Sequence, residues 1–281
     1  MNATKKKELE RFALEVRYHV MDQLTTFGQG HTGGTHSIAD LLSVLYKGGA
    51  LKCDPKNPKW EDRDRLITSK GHAGPAVYAT LALMGFFPMD WLKTLNQGGT
   101  RLPSHTDGLR TPGIDYSTGS LGQGLSCAVG MAVGAKLKKQ DLSVFCIMGD
   151  GELQEGQVWE AAMIAPHYKL DNLIAFVDWN KKQVDGHCDD IAGVTEIAPR
   201  FIANGWDTVV IDGHDLEAIE DAINAAKANK NGVPKVIILD TIKGKGVPSI
   251  EAIDGNHWLE VSKEFGEAAM ADLKARLAAL D

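Results

Sequence analysis

Apolar residues recur at helical spacing near the start of the chain, at Leu9, Phe12, Ala13, Val16 and Val20, and predict an amphipathic first helix. The run stops in GQGHTGGTHS, where glycines break the periodicity. Ser37 is placed there to cap a second helix through Leu41, Leu42 and Leu45. A polar, proline-bearing loop, KCDPKNPKWEDRDR, follows. Leu66 and Ile67 then lead into SKGHAGPAVYATLALMG, whose second part reads as a helix ending near Gly85. Residues 97–119 are rich in Gly, Pro, Thr and His, and a loop this long is uncommon unless it works at a site. The Ala- and Gly-rich stretch 122–138 predicts a tightly packed, buried helix.

The second half is more regular. Residues 143–148 form a short β-branched, apolar run that ends in Gly-Asp-Gly, with a helix through Val158, Ala161 and Ala162 behind it. Strands are expected at 173–177, 208–211 and 235–239. Between the last two lies a helix with Leu216, Ile219, Ile223 and Ala226 on one face and Asp215 as its cap. A final helix carries Phe265, Ala269, Leu273 and Leu277. Strands alternating with helices imply an α/β fold, a parallel sheet with helices on both faces. No linker, repeat or low-complexity tract interrupts the chain, so residues 1–281 are expected to form one domain.

Composition narrows the function classes. The chain is 43% hydrophobic and carries a net charge of -7, which gives no reason to expect a nucleic-acid partner. Its apolar stretches are too short to span a bilayer, and the first residues lack the apolar run of a secretory signal. The 4 cysteines stand far apart without metal-ligand spacing and read as free thiols. A cytoplasmic setting is expected.

The strongest chemical feature is SVFCIMGDGELQEGQVWEAA. A strand runs into Gly149-Asp150-Gly151, and in a parallel sheet ligands bind at the carboxyl ends of the strands. The Asp150 carboxylate is free to ligate a cation there. Gly151, without a side chain, lets a phosphate approach the backbone. A second strand ends in Asp178-Trp179-Asn180, and adjacent parallel strands would bring Asn180 to Asp150. The Asn180 amide oxygen and the Lys182 carbonyl are hard ligands of the kind Mg²⁺ takes beside phosphates. The competing reading makes Asp150 and Asn180 ordinary turn residues. Several histidines also sit in glycine-bearing sequence: His31 in GQGHTGG, His72 in TSKGHAG, His105 in LPSHTDG, and His257 near the end of a later loop. Imidazole suits proton transfer near neutral pH.

The Gly-Asp-Gly with its later Asn resembles the thiamine diphosphate motif, and the GHTGG, SKGHAG and STGSLGQG segments resemble the N-terminal section of transketolase over nearly the whole chain. The resemblance implies a pyrophosphate-binding domain. It assigns Asp150, Asn180 and the backbone oxygen of Lys182 to Mg²⁺ (or Ca²⁺), with Gly151 and His72 at the cofactor pyrophosphate and Gly119 and Leu121 at its aminopyrimidine ring. It puts His31 near the reactive thiazolium carbon, His105 at substrate hydroxyls, and His257 at the pyrophosphate and substrate. At the last position the family has Trp-His-Gly where this chain has Asn-His-Trp. Glu155 and Glu160 fall where the family has buried carboxylates linking active sites across a subunit interface. Helix N-terminal acids favoured by the dipole are the alternative. Lys243 and Lys245, in TIKGKGVP, face either phosphate or a neighbouring chain.

The family's pyrimidine-binding domain, which supplies the activating glutamate, has no counterpart in this sequence. A separate C-terminal subunit is therefore expected to carry it, with two copies of each chain as the symmetric assembly. The implied reaction moves a two-carbon glycolaldehyde unit from a ketose phosphate to an aldose phosphate through a thiamine diphosphate carbanion-enamine. Pentose phosphate exchange is the default reading. The alternatives are a split transketolase for a specialised ketose (6-deoxy-6-sulfofructose or apulose 4-phosphate) and a deoxyxylulose-phosphate synthase-like enzyme. A nucleotide-binding enzyme is disfavoured, since neither a Walker A sequence nor a dinucleotide fingerprint is present.

Overall fold

The computed structural model describes residues 1–194 and 196–280. Five strands form one parallel sheet: β1 (Arg65–Thr68), β2 (Val144–Gly149), β3 (Leu173–Trp179), β4 (Asp207–Asp212) and β5 (Lys235–Asp240), in the order β1-β2-β3-β5-β4. The central strands are apolar on both faces because both faces are covered. Phe145, Ile147, Ile174, Phe176, Ile237 and Leu239 join one core, packed by α1 (Ala3–Phe27), α2 (Gly74–Leu83), α6 (Leu216–Ala228) and α7 (Lys263–Ala278). The alternate residues Cys146, Met148, Ala175, Val177, Val236 and Ile238 join a second core under α3 (Gln123–Leu137), α4 (Gly156–His167) and α5 (Ile197–Ala203). Each fully buried aliphatic side chain contributes on the order of 1.5–3 kcal/mol.

The first helix runs as its periodicity predicts, burying Leu9, Phe12, Ala13, Val16 and Val20. It stops at Gly28, whose φ of 90° suits the left-handed cap that donates its N–H to Leu24 O, 2.8 Å away. Asp215 caps α6 through its side chain, also as predicted. No helix or strand occurs between Thr94 and Gln123, so the predicted long loop is a loop.

Two expectations need correction. The helix expected from Ser37 is broken into Gly33–His36, Ala39–Leu42 and a π-turn, Ser43–Lys47. Ser37 does not cap the start of the following helix; its hydroxyl donates to Asp178 at 2.7 Å. The helix α3 is buried on one face only. Leu125, Ala128, Ala132 and Ala135 pack inward, whereas Gly130 and Gly134 have open space where a side chain would stand. Leu137 is 79% exposed, and Met163 on the neighbouring α4 is 59% exposed. Small residues made the stretch look uniformly buried, but small size does not say which face is covered.

Candidate functional site

Several loops converge over the carboxyl ends of β1, β2 and β3. Pairing of β2 with β3 sets Gly149 opposite Asp178, and the Asp150 N–H donates to Asp178 O at 3.2 Å. This register delivers Asp150 and Asn180 to one place. A short antiparallel ribbon, Gln29–Gly30 with Leu259–Glu260, joins the loop carrying His31 to the loop carrying His257. The same two loops are laced by Gly33 N–H and the Thr32 hydroxyl, which both donate to Asn256 O at 2.8 and 2.9 Å. The turn after β1 holds His72. The long loop holds His105, tied to β1 through Thr118, whose hydroxyl donates to Thr68 O at 2.7 Å.

These loops enclose a cavity of about 190 Å³. It is lined by His31, His72, His105 and His257, by Gly119 and Leu121, and by Asp150, Gly151, Asn180 and Lys182. Larger hollows of about 580 Å³ beside Arg17 and about 710 Å³ beside Arg63 carry none of the candidate site residues except Lys245, which lines the first. The imidazoles form one cluster: His31 lies 5.2 Å from His72, 5.5 Å from His105 and 5.3 Å from His257, and His72 lies 4.9 Å from His257, centroid to centroid. Burial first, and neighbouring positive groups second, push His31 down to about 4 and His257 down to about 3. Burial also lowers His72 and His105. All four rings are therefore neutral at neutral pH, able to donate from one nitrogen and accept at the other.

Asp150 is 3% exposed and accepts from the N–H groups of Gly151, at 2.8 Å, and Lys181. No ion pair neutralises it among the described residues, and burial together with Asp178 raises it to about 6. A buried carboxylate in that condition favours an added cation. Asn180 turns its Nδ2 to Asp178 at 2.8 Å and its Oδ1 to the Lys182 N–H at 3.2 Å. The Lys182 carbonyl accepts from the Lys243 ammonium at 2.7 Å. One carboxylate, one amide oxygen and one carbonyl make an all-oxygen donor set, the chemistry that Mg²⁺ and Ca²⁺ take. Clusters of three or more His, Cys, Asp or Glu that could hold a metal are absent among the described residues.

Sequence reasoning missed the buried layer beneath. Lys70 is fully buried, and its ammonium donates to Gly34 O at 2.7 Å and to Asp178. Asp178 also accepts from Thr241 at 2.6 Å. Burial would raise this carboxyl, but Lys70 and the hydroxyl donors overcome it and hold it below its ordinary value. Glu152 is 2% exposed and accepts from Ser69, from Gly122 N–H at 2.8 Å and from Gly149 N–H at 3.1 Å. Of the three glutamates that closely follow Asp150, it is the buried one. Glu155 and Glu160 are exposed in the chain, and Glu160 does not line the cavity. Lys243 lines the cavity, whereas Lys245 lines the hollow beside Arg17.

Comparison with known proteins agrees with this geometry. The family model described as "Transketolase, thiamine diphosphate binding domain" matches residues 9–278. The chain is 46% identical over 267 residues to the 6-deoxy-6-sulfo-D-fructose transketolase subunit SqwG of Clostridium sp. (strain MSTE9), covering 95% of this chain and 96% of that one. It is 37% identical over 252 residues to an apulose-4-phosphate transketolase subunit from Phocaeicola vulgatus, covering 90% and 89%. The crystal structure of transketolase from Campylobacter jejuni superposes with a TM-score of 0.88 at 34% identity, over 99% of this chain but 43% of that one. The chain belongs to the transketolase family and carries the thiamine diphosphate-binding part of a transketolase-type enzyme.

Proposed function

We propose that this chain is the pyrophosphate-binding subunit of a two-chain transketolase acting on a specialised ketose. The observation that carries the reading is the cavity itself: four neutral imidazoles face an uncompensated buried carboxylate at the ends of two parallel strands. Asp150, Asn180 and the Lys182 carbonyl would hold Mg²⁺ (or Ca²⁺), and His72, Gly151 and Lys243 would meet the pyrophosphate. Thiamine diphosphate supplies the electron sink that lets a carbon–carbon bond of a ketose break and re-form on another aldehyde. The protein's own work is orientation and proton handling. His31 and His105, neutral and within one cluster, are suited to hold substrate hydroxyls and to take or return a proton there.

Support for two chains comes from the relatives. Two relatives matched over 96% and 89% of their own length are named as subunits, while the Campylobacter jejuni transketolase chain is spanned for 43% of its length. A partner would bring the pyrimidine-binding domain and the activating glutamate, with two copies of each chain as the symmetric arrangement. Residues 1–281 would be a single domain. The same relatives favour a sulfonated or branched ketose over ordinary pentose phosphates as donor. No helix among the described residues is long and apolar enough to cross a membrane.

The test is a coupled transfer assay on this chain mixed with its complementary subunit, thiamine diphosphate and Mg²⁺. Donors are 6-deoxy-6-sulfofructose, apulose 4-phosphate and xylulose 5-phosphate, with glyceraldehyde 3-phosphate as acceptor. Turnover only with both chains, and preferentially with one of the first two donors, supports the reading. Turnover by this chain alone, or a clear preference for xylulose 5-phosphate, overturns its two-chain or its substrate part respectively.

A further inference from the structure

We infer that Asp178, held by Lys70, is a positioning residue that turns the Asn180 amide so that its oxygen is available to a divalent cation. The inference rests on the cation reading proposed above and specifies what orients one of its ligands.

Asp178 sits at the end of β3 with no exposure, and every contact it makes comes from a donor. On Oδ2 it accepts from the Ser37 hydroxyl at 2.7 Å, from the Lys70 ammonium and from Asn180 Nδ2 at 2.8 Å; on Oδ1 it accepts from the Thr241 hydroxyl at 2.6 Å. An ionised carboxylate offers acceptors only. The amide facing it must therefore present its NH₂, and the amide oxygen is left pointing elsewhere, toward the Lys182 N–H at 3.2 Å. The side chain that decides the amide's direction is thus the acid two residues before it, a carboxylate that never itself lines the cavity.

Lys70 makes this possible without filling the cation's place. Two buried acids, Asp178 and Asp150, stand side by side on paired strand ends, where the Asp150 N–H donates to the Asp178 backbone oxygen at 3.2 Å. The Lys70 ammonium pairs with Asp178 alone, with both side chains fully buried, and leaves Asp150 without an ion-pair partner among the described residues. One acid is spent on orientation and the other is kept for the ion. An amide at position 178 would offer both an NH₂ and an oxygen, and only the Lys182 N–H would still hold the Asn180 oxygen in its direction. Outer partners of this kind typically change metal affinity by about 10–100-fold.

The experiment measures Mn²⁺ affinity by electron paramagnetic resonance on the full chain with thiamine diphosphate, so that it does not depend on turnover. Asn180→Ala is made in the wild type and in a Lys70→Met/Asp178→Asn background, which removes both buried charges together and leaves neither unpaired. In the wild type the loss is expected to be about 10–100-fold. In the second background it is expected to fall to about twofold or less, the non-additivity of residues acting through one another. Equal losses in both backgrounds overturn the inference. As a second measurement, Thr241→Val removes a bond to the other oxygen of the same carboxylate. It should lower the melting temperature and leave Mn²⁺ affinity within about twofold. A loss there as large as that of Asn180→Ala would make Asp178 a general scaffold and also overturn it. Absence of any Mn²⁺ binding by the wild type, with or without cofactor, would instead remove the cation reading itself.

Discussion

The Lys243 ammonium donates to the Lys182 carbonyl at 2.7 Å, the backbone oxygen assigned to the cation by family resemblance. Its other partner is His257 Nδ1 at 3.2 Å. Burial first, and Lys70 second, lower Lys243 to about 8, yet it stays mostly charged at neutral pH. A positive charge on this oxygen competes with a metal ion for it. Lys243→Met should therefore raise Mn²⁺ affinity of the cofactor-free chain by several-fold, about the effect of one nearby charge in a partly screened site. The same change should weaken thiamine diphosphate binding, because a pyrophosphate loses an attractive partner. Calorimetric titrations of ion and cofactor check both. Weaker Mn²⁺ binding would mean that Lys243 supports the metal loop rather than competing with the ion.

His105 sits in a loop tied down by backbone and hydroxyl contacts. Its backbone carbonyl accepts from the Tyr78 hydroxyl at 3.2 Å, and the next residue, Thr106, shares a hydroxyl bond with Thr118 at 2.7 Å. The loop is thus fixed by backbone and threonine contacts, not by the imidazole. Replacing the ring should leave the loop in place. His105→Ala is expected to lower kcat/KM for transfer by about 100-fold, the lower range for a positioned acid–base group. Cofactor affinity should change by less than tenfold. Steady-state kinetics with the complementary subunit, set beside a cofactor titration, separates the two. Equal losses would make His105 a cofactor anchor.

The histidine cluster also sets a direction for acid sensitivity. His257 is held near 3 in the folded chain and stands near 6.5 when unfolded. Between those values the unfolded chain binds the proton and the folded chain resists it. Its contribution to stability is present in full above the unfolded value and is lost progressively as pH falls below it. Asp150 acts in the opposite sense. Raised to about 6 from 3.8, it gains its proton more readily when folded, so folding is relatively favoured as pH falls through that range. His257→Asn removes one titrating ring and keeps a polar side chain. Its melting temperature should fall less steeply than the wild type's between pH 6.5 and pH 4, measured on the cofactor-free chain. Parallel slopes would show that the ring is solvated in solution.

What could be read from the sequence follows from how local each signal is. Asp150 and Asn180 each end an apolar strand, and a parallel pairing of those strands is enough to bring them together. His31, His72 and His105 announce themselves by their glycine-bearing neighbours. Lys70 carries no such mark. It sits in the same SKGHAG segment as His72, and only the fold reveals that it is fully buried against Asp178, which lies 108 positions away in the chain. Ser37 misleads for a related reason: a serine after a glycine run is a good cap by local rules, but a distant carboxylate claims its hydroxyl. Glu152 does not stand out from Glu155 and Glu160, because three acids close in sequence look alike until their donors are known.

Gly71 shows how closely the site's loops are fitted. A Cβ there would stand 2.6 Å from Thr118 Oγ1 and 2.9 Å from the Gly119 backbone nitrogen. The turn carrying His72 thus rests directly on the loop carrying Gly119, and backbone cannot withdraw as a flexible side chain can. Gly71→Ala should destabilise the chain by about 1–3 kcal/mol through overpacking. It should also weaken cofactor binding, since both loops line the cavity. Thermal melting and a cofactor titration test the pair of effects. Lost stability with unchanged cofactor affinity would mean that the strain relaxes away from the site.

Glu152 closes the floor of the same cavity. Its Oε1 accepts from the Ser69 hydroxyl and from Gly122 N–H at 2.8 Å, and its Oε2 from Gly149 N–H at 3.1 Å. Three segments meet on one side chain: the turn after β1, the start of α3 and the end of β2. All three partners donate, so both oxygens are required as acceptors. In Glu152→Gln the amide oxygen can keep the Oε1 contacts, but the NH₂ then faces the Gly149 N–H, donor against donor. Leaving such a buried group unsatisfied costs about 1–3 kcal/mol. Burial also raises the Glu152 carboxyl above its ordinary value, so the wild type takes up a proton here more readily when folded, and its own hydrogen bonding begins to resemble the amide's as the pH falls. The gap in melting temperature between wild type and Glu152→Gln should therefore be widest at neutral pH and narrow on acidification. A gap that is constant with pH would mean that the cost of the substitution comes from packing and not from the charged acceptor.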